Sequence, residues 1–144
     1  MPALLLVVML TSSAIRQPST GRPAVCHVSE LVAERPPDGS DAFAGSPRPS
    51  WYANPSRTIW AQWWGKTSTG AYKVLWVRPR GATIKVTGHR LDGTATPVAL
   101  TADIGSGSSL TFQSSGLRFP SAGCWQIDAS AGTETIRFVV DIRQ

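Results

Sequence analysis

FPSAGCWQIDASAGTETIRFVVDI, residues 119–142, is the stretch that decides the fold. Trp125, Ile127 and Ala129 fall on one parity, and Cys124, Gln126 and Asp128 on the other. A period of two is that of a strand with one face in a core and the other in water. Ala131-Gly132 supplies a turn, after which Ile136, Phe138, Val140 and Ile142 alternate with Arg137, Val139 and Asp141. The pattern predicts an antiparallel hairpin with a buried face.

Upstream, the same signals recur in shorter form. Residues 24–32 (AVCHVSELV) read as a first strand, and residues 35–50, with their prolines and glycines, as a loop. Thr58–Trp64 and Lys73–Val77 have the β-branched and aromatic composition of strands around a turn at Gly65–Ala71. Arg78-Pro79-Arg80-Gly81 places proline second and glycine last in a four-residue turn. In residues 82–87, Ala82, Ile84 and Val86 face inward and Thr83, Lys85 and Thr87 outward. Gly88 is read as a bulge, Asp92-Gly93 as a hairpin turn, and Pro97 as the mark of an edge strand. A Gly/Ser loop at 105–109 precedes a short strand at 110–112. No segment holds a helical period, so the expectation is all-β: an antiparallel sandwich of seven to eight strands.

The chain has 144 residues, enough for one domain with a two-layer core. It begins MPALLLVVML, with an apolar run too short to cross a bilayer, followed by small residues ending at Ala14. The expected organisation is a signal peptide at 1–14, a disordered leader at 15–23 and the β-sandwich at 24–144. No other apolar run has the length of a transmembrane helix. In an exported chain Cys26 and Cys124 are expected to oxidise and pair, bringing the N-terminal strand to the final hairpin. Pro23 stands where a lipoprotein signal has an aliphatic residue, which argues against lipidation of Cys26.

The run GHRLDGTATPVAL (88–100) followed by LRFPSAGCWQIDASAGTETIRFVVDI (117–142) resembles a family of short exported bacterial proteins without an assigned activity. They share a G-R-L-D segment, an F-P-x-x-G-C-W strand and an early cysteine before a Pro/Gly-rich region, here Cys26 before Pro36-Pro37-Asp38-Gly39. The resemblance implies an immunoglobulin-like fold in the bacterial envelope or outside the cell. His89 replaces an arginine, and the Gly/Ser tract at 105–109 replaces an aromatic-containing loop. No ligand is therefore carried over.

The net charge is +5, but its distribution is more informative. From Ala42 to Leu91 there is no Asp or Glu, while Arg48, Arg57, Lys66, Lys73, Arg78, Arg80, Lys85 and Arg90 lie there. Such a field attracts polyanions. The same stretch holds Trp51, Tyr52, Trp60, Trp63, Trp64, Tyr72 and Trp76. Trp60 and Trp64 share a strand parity and Trp63 has the other. Exposed tryptophan beside cations stacks on sugars, whereas buried tryptophan packs a core. The candidate ligand site is therefore Trp51, Arg57, Trp60, Trp64 and Lys66. A groove lining up these tryptophans would favour a saccharide or anionic polymer, and tight burial would favour a structural module.

Catalysis finds weaker support. His27 and His89 with the cysteines lack the close-paired spacing of a zinc site. No serine sits in G-x-S-x-G, and Glu30, Glu34, Asp38 and Asp41 lie beside or within a Pro/Gly loop. An enzyme would need a pocket joining His89, or those carboxylates, to a second polar group. The expectation is a non-catalytic module without metal or cofactor. Its partner would be an envelope polymer or another exported protein. A nucleic-acid role is not expected, because export separates the chain from such targets and no recognised motif occurs.

Overall fold

The computed structural model describes residues 25–37, 51–101 and 111–143. The expected signal peptide and leader, residues 38–50 with Arg48, Asp38 and Asp41, and the Gly/Ser loop lie outside the described residues. The strands are β1 (Trp51–Ala53), β2 (Trp60–Lys66), β3 (Tyr72–Val77), β4 (Ile84–Arg90), β5 (Ala99–Thr101), β6 (Phe112–Arg118), β7 (Gly123–Ala131) and β8 (Glu134–Ile142). They form a five-stranded sheet in the order β1-β2-β3-β6-β5 and a three-stranded sheet in the order β4-β7-β8, all pairs antiparallel. This is a β-sandwich. Seven strands, β2-β3-β6-β5 against β4-β7-β8, follow the connectivity of an immunoglobulin constant-type domain, with β1 added beside β2.

Parity builds the core. Trp125, Ile127 and Ala129 on β7 and Ile136, Phe138, Val140 and Ile142 on β8 all enter it, as their alternation requires. They meet Tyr52, Ala61, Val74, Trp76 and Leu117 from the five-stranded sheet. Phe138 is the hinge of this contact, stacked on Tyr52 with centroids 4.3 Å apart and tilted against Trp76 at 6.2 Å. Trp76 donates its ring N–H to Ser115 Oγ at 2.7 Å, so the buried indole nitrogen is satisfied. A second apolar cluster, Trp51, Trp60, Leu75 and Val77, occupies the face of the five-stranded sheet turned away from this core.

The expected first strand is corrected. Residues 25–31 join no sheet, and Val32 makes one isolated bridge to Trp51. The segment has a period of three. Cys26, Ser29 and Val32 are half-buried, and every residue between them is exposed. Cys26 is disulfide-bonded to Cys124. Ser29 N–H donates to Val139 O at 3.0 Å, and Val139 N–H donates to Ser29 Oγ at 2.9 Å. Val32 N–H donates to Trp51 O at 2.8 Å. A threefold repeat belongs to an extended, non-pleated ribbon rather than a strand. The ribbon runs from the open edge of β8 in one sheet to β1 in the other, covering edges that would otherwise template aggregation.

Three further expectations change, and Trp51–Ala53 adds a strand for which no expectation was stated. The bulge lies at Trp63/Gly65 rather than at Gly88, and Gly65 adopts φ 86° there, so β2 extends past the expected turn. Phe112–Arg118 is a full strand rather than a short one. Asp92-Gly93 makes no hairpin, because the chain crosses there from β4 to β5 in the opposite sheet. Pro97 does precede an edge strand.

Gly88 instead pairs in register with Ile127, and a methyl group on it would lie 2.7 Å from Val98 Cγ2 and 3.0 Å from Ile127 Cδ1. Gly88→Ala is expected to destabilise by about 2 kcal/mol through overpacking. Urea unfolding measures this, and a change below about 0.5 kcal/mol would show that the site yields freely.

Candidate functional site

The two sequence motifs that carried the family resemblance meet at one corner. Arg90 Nε donates to Asp92 Oδ1 at 2.7 Å, and Arg90 Nη1 donates to Ser121 Oγ at 3.2 Å. Leu91 N–H donates to Cys124 O at 2.7 Å. Gly123 has φ 141°, and a Cβ there would sit 2.7 Å from both Arg90 Nε and Asp92 Oδ1. Phe119 packs edge-on to Trp125 at 5.3 Å and lies against Trp63 and Tyr72. The hydrogen bond from Arg90 holds the Asp92 carboxyl below its usual range, against the opposing effect of burial. These residues lock β4 to the start of β7. Their chemistry is consumed internally.

Trp51, Trp60 and Trp64 do share one face of the five-stranded sheet, but they do not line one groove. Trp51 and Trp60 are 4% and 3% exposed, and Trp64 is 50% exposed. The bulge accounts for Trp64, the extra residue between the pairs Trp63–Val74 and Gly65–Lys73. Its ring N–H donates to Gln62 Oε1 at 2.8 Å, and Lys73 Nζ lies 4.9 Å from the ring centre. Lys66 ends β2, about 20 Å along the strand from Trp60. The sequence put Trp60 and Trp64 on one strand parity but could not show which face that was or what covers it.

At the other end of β2 the turn between β1 and β2 gathers cations. Asn54, itself buried, organises this turn. Its Oδ1 accepts the N–H groups of Thr58 and Ile59 at 2.9 and 3.0 Å, and its backbone O accepts Arg57 N–H at 3.0 Å. Arg57 is thereby held at φ 58°, a left-handed conformation that a non-glycine residue rarely adopts. Its guanidinium sits 5.8 Å from the Trp60 ring centre, donates to Asn54 O and pairs with Glu34 at 3.0 Å. That hydrogen bond holds the Glu34 carboxyl below its usual range. Both partners are largely exposed, so the pair is weak and open to competition. Arg57 and Trp60 share an open cleft of about 320 Å³ with Pro37, Arg78, Pro79 and Arg80. Pro79 accepts Ala82 N–H at 3.0 Å, closing the turn that carries the two further arginines.

A second, larger hollow of about 780 Å³ lies on the other side of the Asn54-Pro55 corner. It crosses the outward face of the three-stranded sheet, where one row is Lys85, Ser130 and Thr135 and the next is Thr87, Asp128 and Arg137. Burial pushes the Asp128 carboxyl up, but hydrogen bonds from Gln126 and Arg137 and the charges of Arg137 and His89 outweigh it, so it stays low. Across the sheets, Glu134 Oε2 accepts Thr58 Oγ1–H at 2.6 Å, Ser56 Oγ–H at 2.9 Å and Asn54 Nδ2–H at 3.3 Å.

The remaining candidates are dispersed. His27 is exposed on the ribbon, and His89 Nδ1 lies 4.0 Å from Asp128. Cys26 and Cys124 are joined, so neither offers a thiolate to a metal. Arg78, Arg80 and the polar rows of the second hollow were not singled out as a site from sequence. The signal was present: basic residues flank Pro79 in a turn, and on β4, β7 and β8 the outward positions beside Asp128 are Thr87, Gln126, Ser130 and Arg137. Comparison with family models, with curated proteins and with solved structures gives no match for the chain.

Proposed function

We propose that this chain is an exported, non-catalytic interaction module of a bacterial envelope that binds an anionic polymer at the end of the sandwich carrying the β1–β2 and β3–β4 turns. The observation that carries the reading is the cleft lined by Arg57, Arg78 and Arg80 together with Trp60. Guanidinium groups fork onto carboxylate, sulfate or phosphate oxygens, and an exposed cleft places them within reach of a chain passing over the surface. Lys85 and Arg137 extend the same field around the Asn54-Pro55 corner. Glu34, the carboxylate paired with Arg57, is displaceable by a stronger anion. A disulfide that fastens the segment at Cys26 to the sandwich suits an oxidising compartment, which supports export.

The test is titration of the oxidised full chain with linear polyphosphate and with polygalacturonate at low and high salt. The Arg78→Ala/Arg80→Ala variant is expected to bind about tenfold more weakly, and the loss should shrink as salt rises. A Trp64→Ala/Lys66→Ala variant, altered at the far end of β2, is expected to bind as the parent does. No binding by the parent, or equal loss in the two variants, would remove the arginine cleft as the site.

A further inference from the structure

We infer that the hollow across β4, β7 and β8 is a sugar subsite, and that the polymer is therefore an acidic polysaccharide. The inference rests on the anionic-polymer reading above and names the polymer's class. The two hollows share one wall, the turn that begins at Asn54: Ala53, Asn54 and Pro55 border the larger, and Arg57, Thr58 and Trp60 the smaller. A chain lying across this end therefore meets both.

The lining of the larger hollow differs in kind from the arginine cleft. Thr87, Ser130 and Thr135 bring three hydroxyls, and among the described residues none of them has a side-chain partner. A hydroxyl both donates and accepts, as sugar hydroxyls do, whereas phosphate or sulfate groups offer acceptors alone. Asp128 sharpens the distinction. Its carboxylate is held anionic by Gln126 and Arg137 and lines the hollow, where it repels a densely charged polyphosphate but accepts from a hydroxyl. Lys85, paired in register with Ser130, adds a cation for a sparse acidic substituent. Lys85, Ser130 and Thr135 lie on three adjacent strands, so the row spans about 10 Å, the reach of a short run of sugar rings. The residues stand on paired strands rather than loops, which fixes their spacing in advance of binding.

The experiment uses the oxidised full chain, with polygalacturonate, linear polyphosphate and the neutral glucan dextran as probes. Thr87→Ala/Ser130→Ala/Thr135→Ala is expected to weaken polygalacturonate about tenfold while leaving polyphosphate within about twofold. A separate Lys85→Ala variant is expected to weaken polygalacturonate and leave any dextran binding unchanged. All three hydroxyls are on an outward face, and far-UV circular dichroism with thermal unfolding checks that the triple variant folds. Polyphosphate binding as tightly as polygalacturonate, or a triple variant that binds both as the parent does, overturns the sugar subsite. In that outcome a loss in Arg78→Ala/Arg80→Ala still upholds the arginine cleft. If the parent binds neither anionic polymer, the anionic-polymer reading itself fails, and the subsite fails with it.

Discussion

Replacing Cys26 and Cys124 by serine is expected to lower the unfolding free energy by up to about 4–5 kcal/mol. The two cysteines are separated by 98 positions, so the bond removes the entropy of a loop that spans most of the sandwich. Among the described residues, the ribbon's backbone bonds to the sheets include the Ser29–Val139 contact and the Val32–Trp51 bridge, and Val32 also packs on the Trp51–Trp60 cluster. Val25, Val28 and Leu31 point outward and are exposed, so they contribute little to its docking. Without the bond the ribbon is therefore expected to detach before the sandwich unfolds. Its loss opens the edge of β8 at Val139 and that of β1 at Trp51. Urea unfolding of the oxidised parent against the double variant gives the magnitude. Amide exchange gives the mechanism, with protection lost first at Ser29, Val32 and Val139. Unchanged protection at these amides would show that the ribbon is held by its own contacts, and a cost below about 1 kcal/mol would show that the bond constrains the unfolded chain little.

The ribbon also marks the limit of what the sequence discloses. Where a strand pairs on both sides or buries one face, composition follows the pleat. Trp125 through Ile142 could therefore be read residue by residue, and each side chain lies on the expected face. Residues 25–32 lack that constraint. In AVCHVSELV a period of two splits the apolar residues between both faces, whereas a period of three separates Cys26, Ser29 and Val32 from Val25, Val28 and Leu31. The cysteine pairing was legible because it needs only two sulfurs and an oxidising compartment. The burial of Trp51 and Trp60 was not, since parity gives a residue's face but not what lies over that face. Gly88 shows the same limit. Glycine within a strand signals either a bulge or a close approach, and the choice depends on Val98, ten residues away in sequence and just before β5.

The candidate site illustrates a related ambiguity. Charge and aromatic content singled out residues 48–90 as a block, because both are visible in a linear reading. The fold distributes that block. Arg90 is tied to Asp92 and Ser121 at one corner, Lys73 lies over Trp64, and Arg57, Arg78 and Arg80 line one cleft at the other end. The polar rows of β4, β7 and β8 attracted no attention from sequence because a water-facing parity of Lys, Thr, Asp, Ser and Arg is ordinary for a half-exposed sheet. What distinguishes them is the hollow bordered by Asn54 and Pro55, and that corner belongs to the other sheet.

Asn54→Ala couples this geometry to stability and is expected to cost about 3–4 kcal/mol. The substitution leaves the N–H groups of Thr58 and Ile59 without their acceptor, and Ile59 is fully buried. A buried donor deprived of its partner costs about 1–3 kcal/mol, and the packing of the amide is lost as well. It also removes one of the three donors on Glu134, through which the β1–β2 turn holds the β7–β8 turn of the opposite sheet. Hydrogen bonds from Thr58, Ser56 and Asn54 hold the Glu134 carboxyl below its ordinary range, despite some opposing desolvation. Its folded-state pKa is thus depressed. The stability it contributes is present above the ordinary glutamate pKa of about 4.3 and is lost as the pH falls through the lower folded value. Glu134→Gln removes that acid dependence, and Asn54→Ala reduces it. Asn54→Asp restores an acceptor for the two amides but sets a second carboxylate against Glu134, raising its pKa relative to the parent. That variant should recover part of its lost stability on mild acidification, where the parent weakens. Because the Asn54 amide holds Thr58 and Ile59, the two residues that follow Arg57 in the turn, Asn54→Ala should weaken polymer binding along with the fold. Urea unfolding at neutral pH and near pH 4, run beside the polymer titration, measures both effects. An Asn54→Ala chain as stable as the parent at both pH values would mean that the turn is held by something other than this amide.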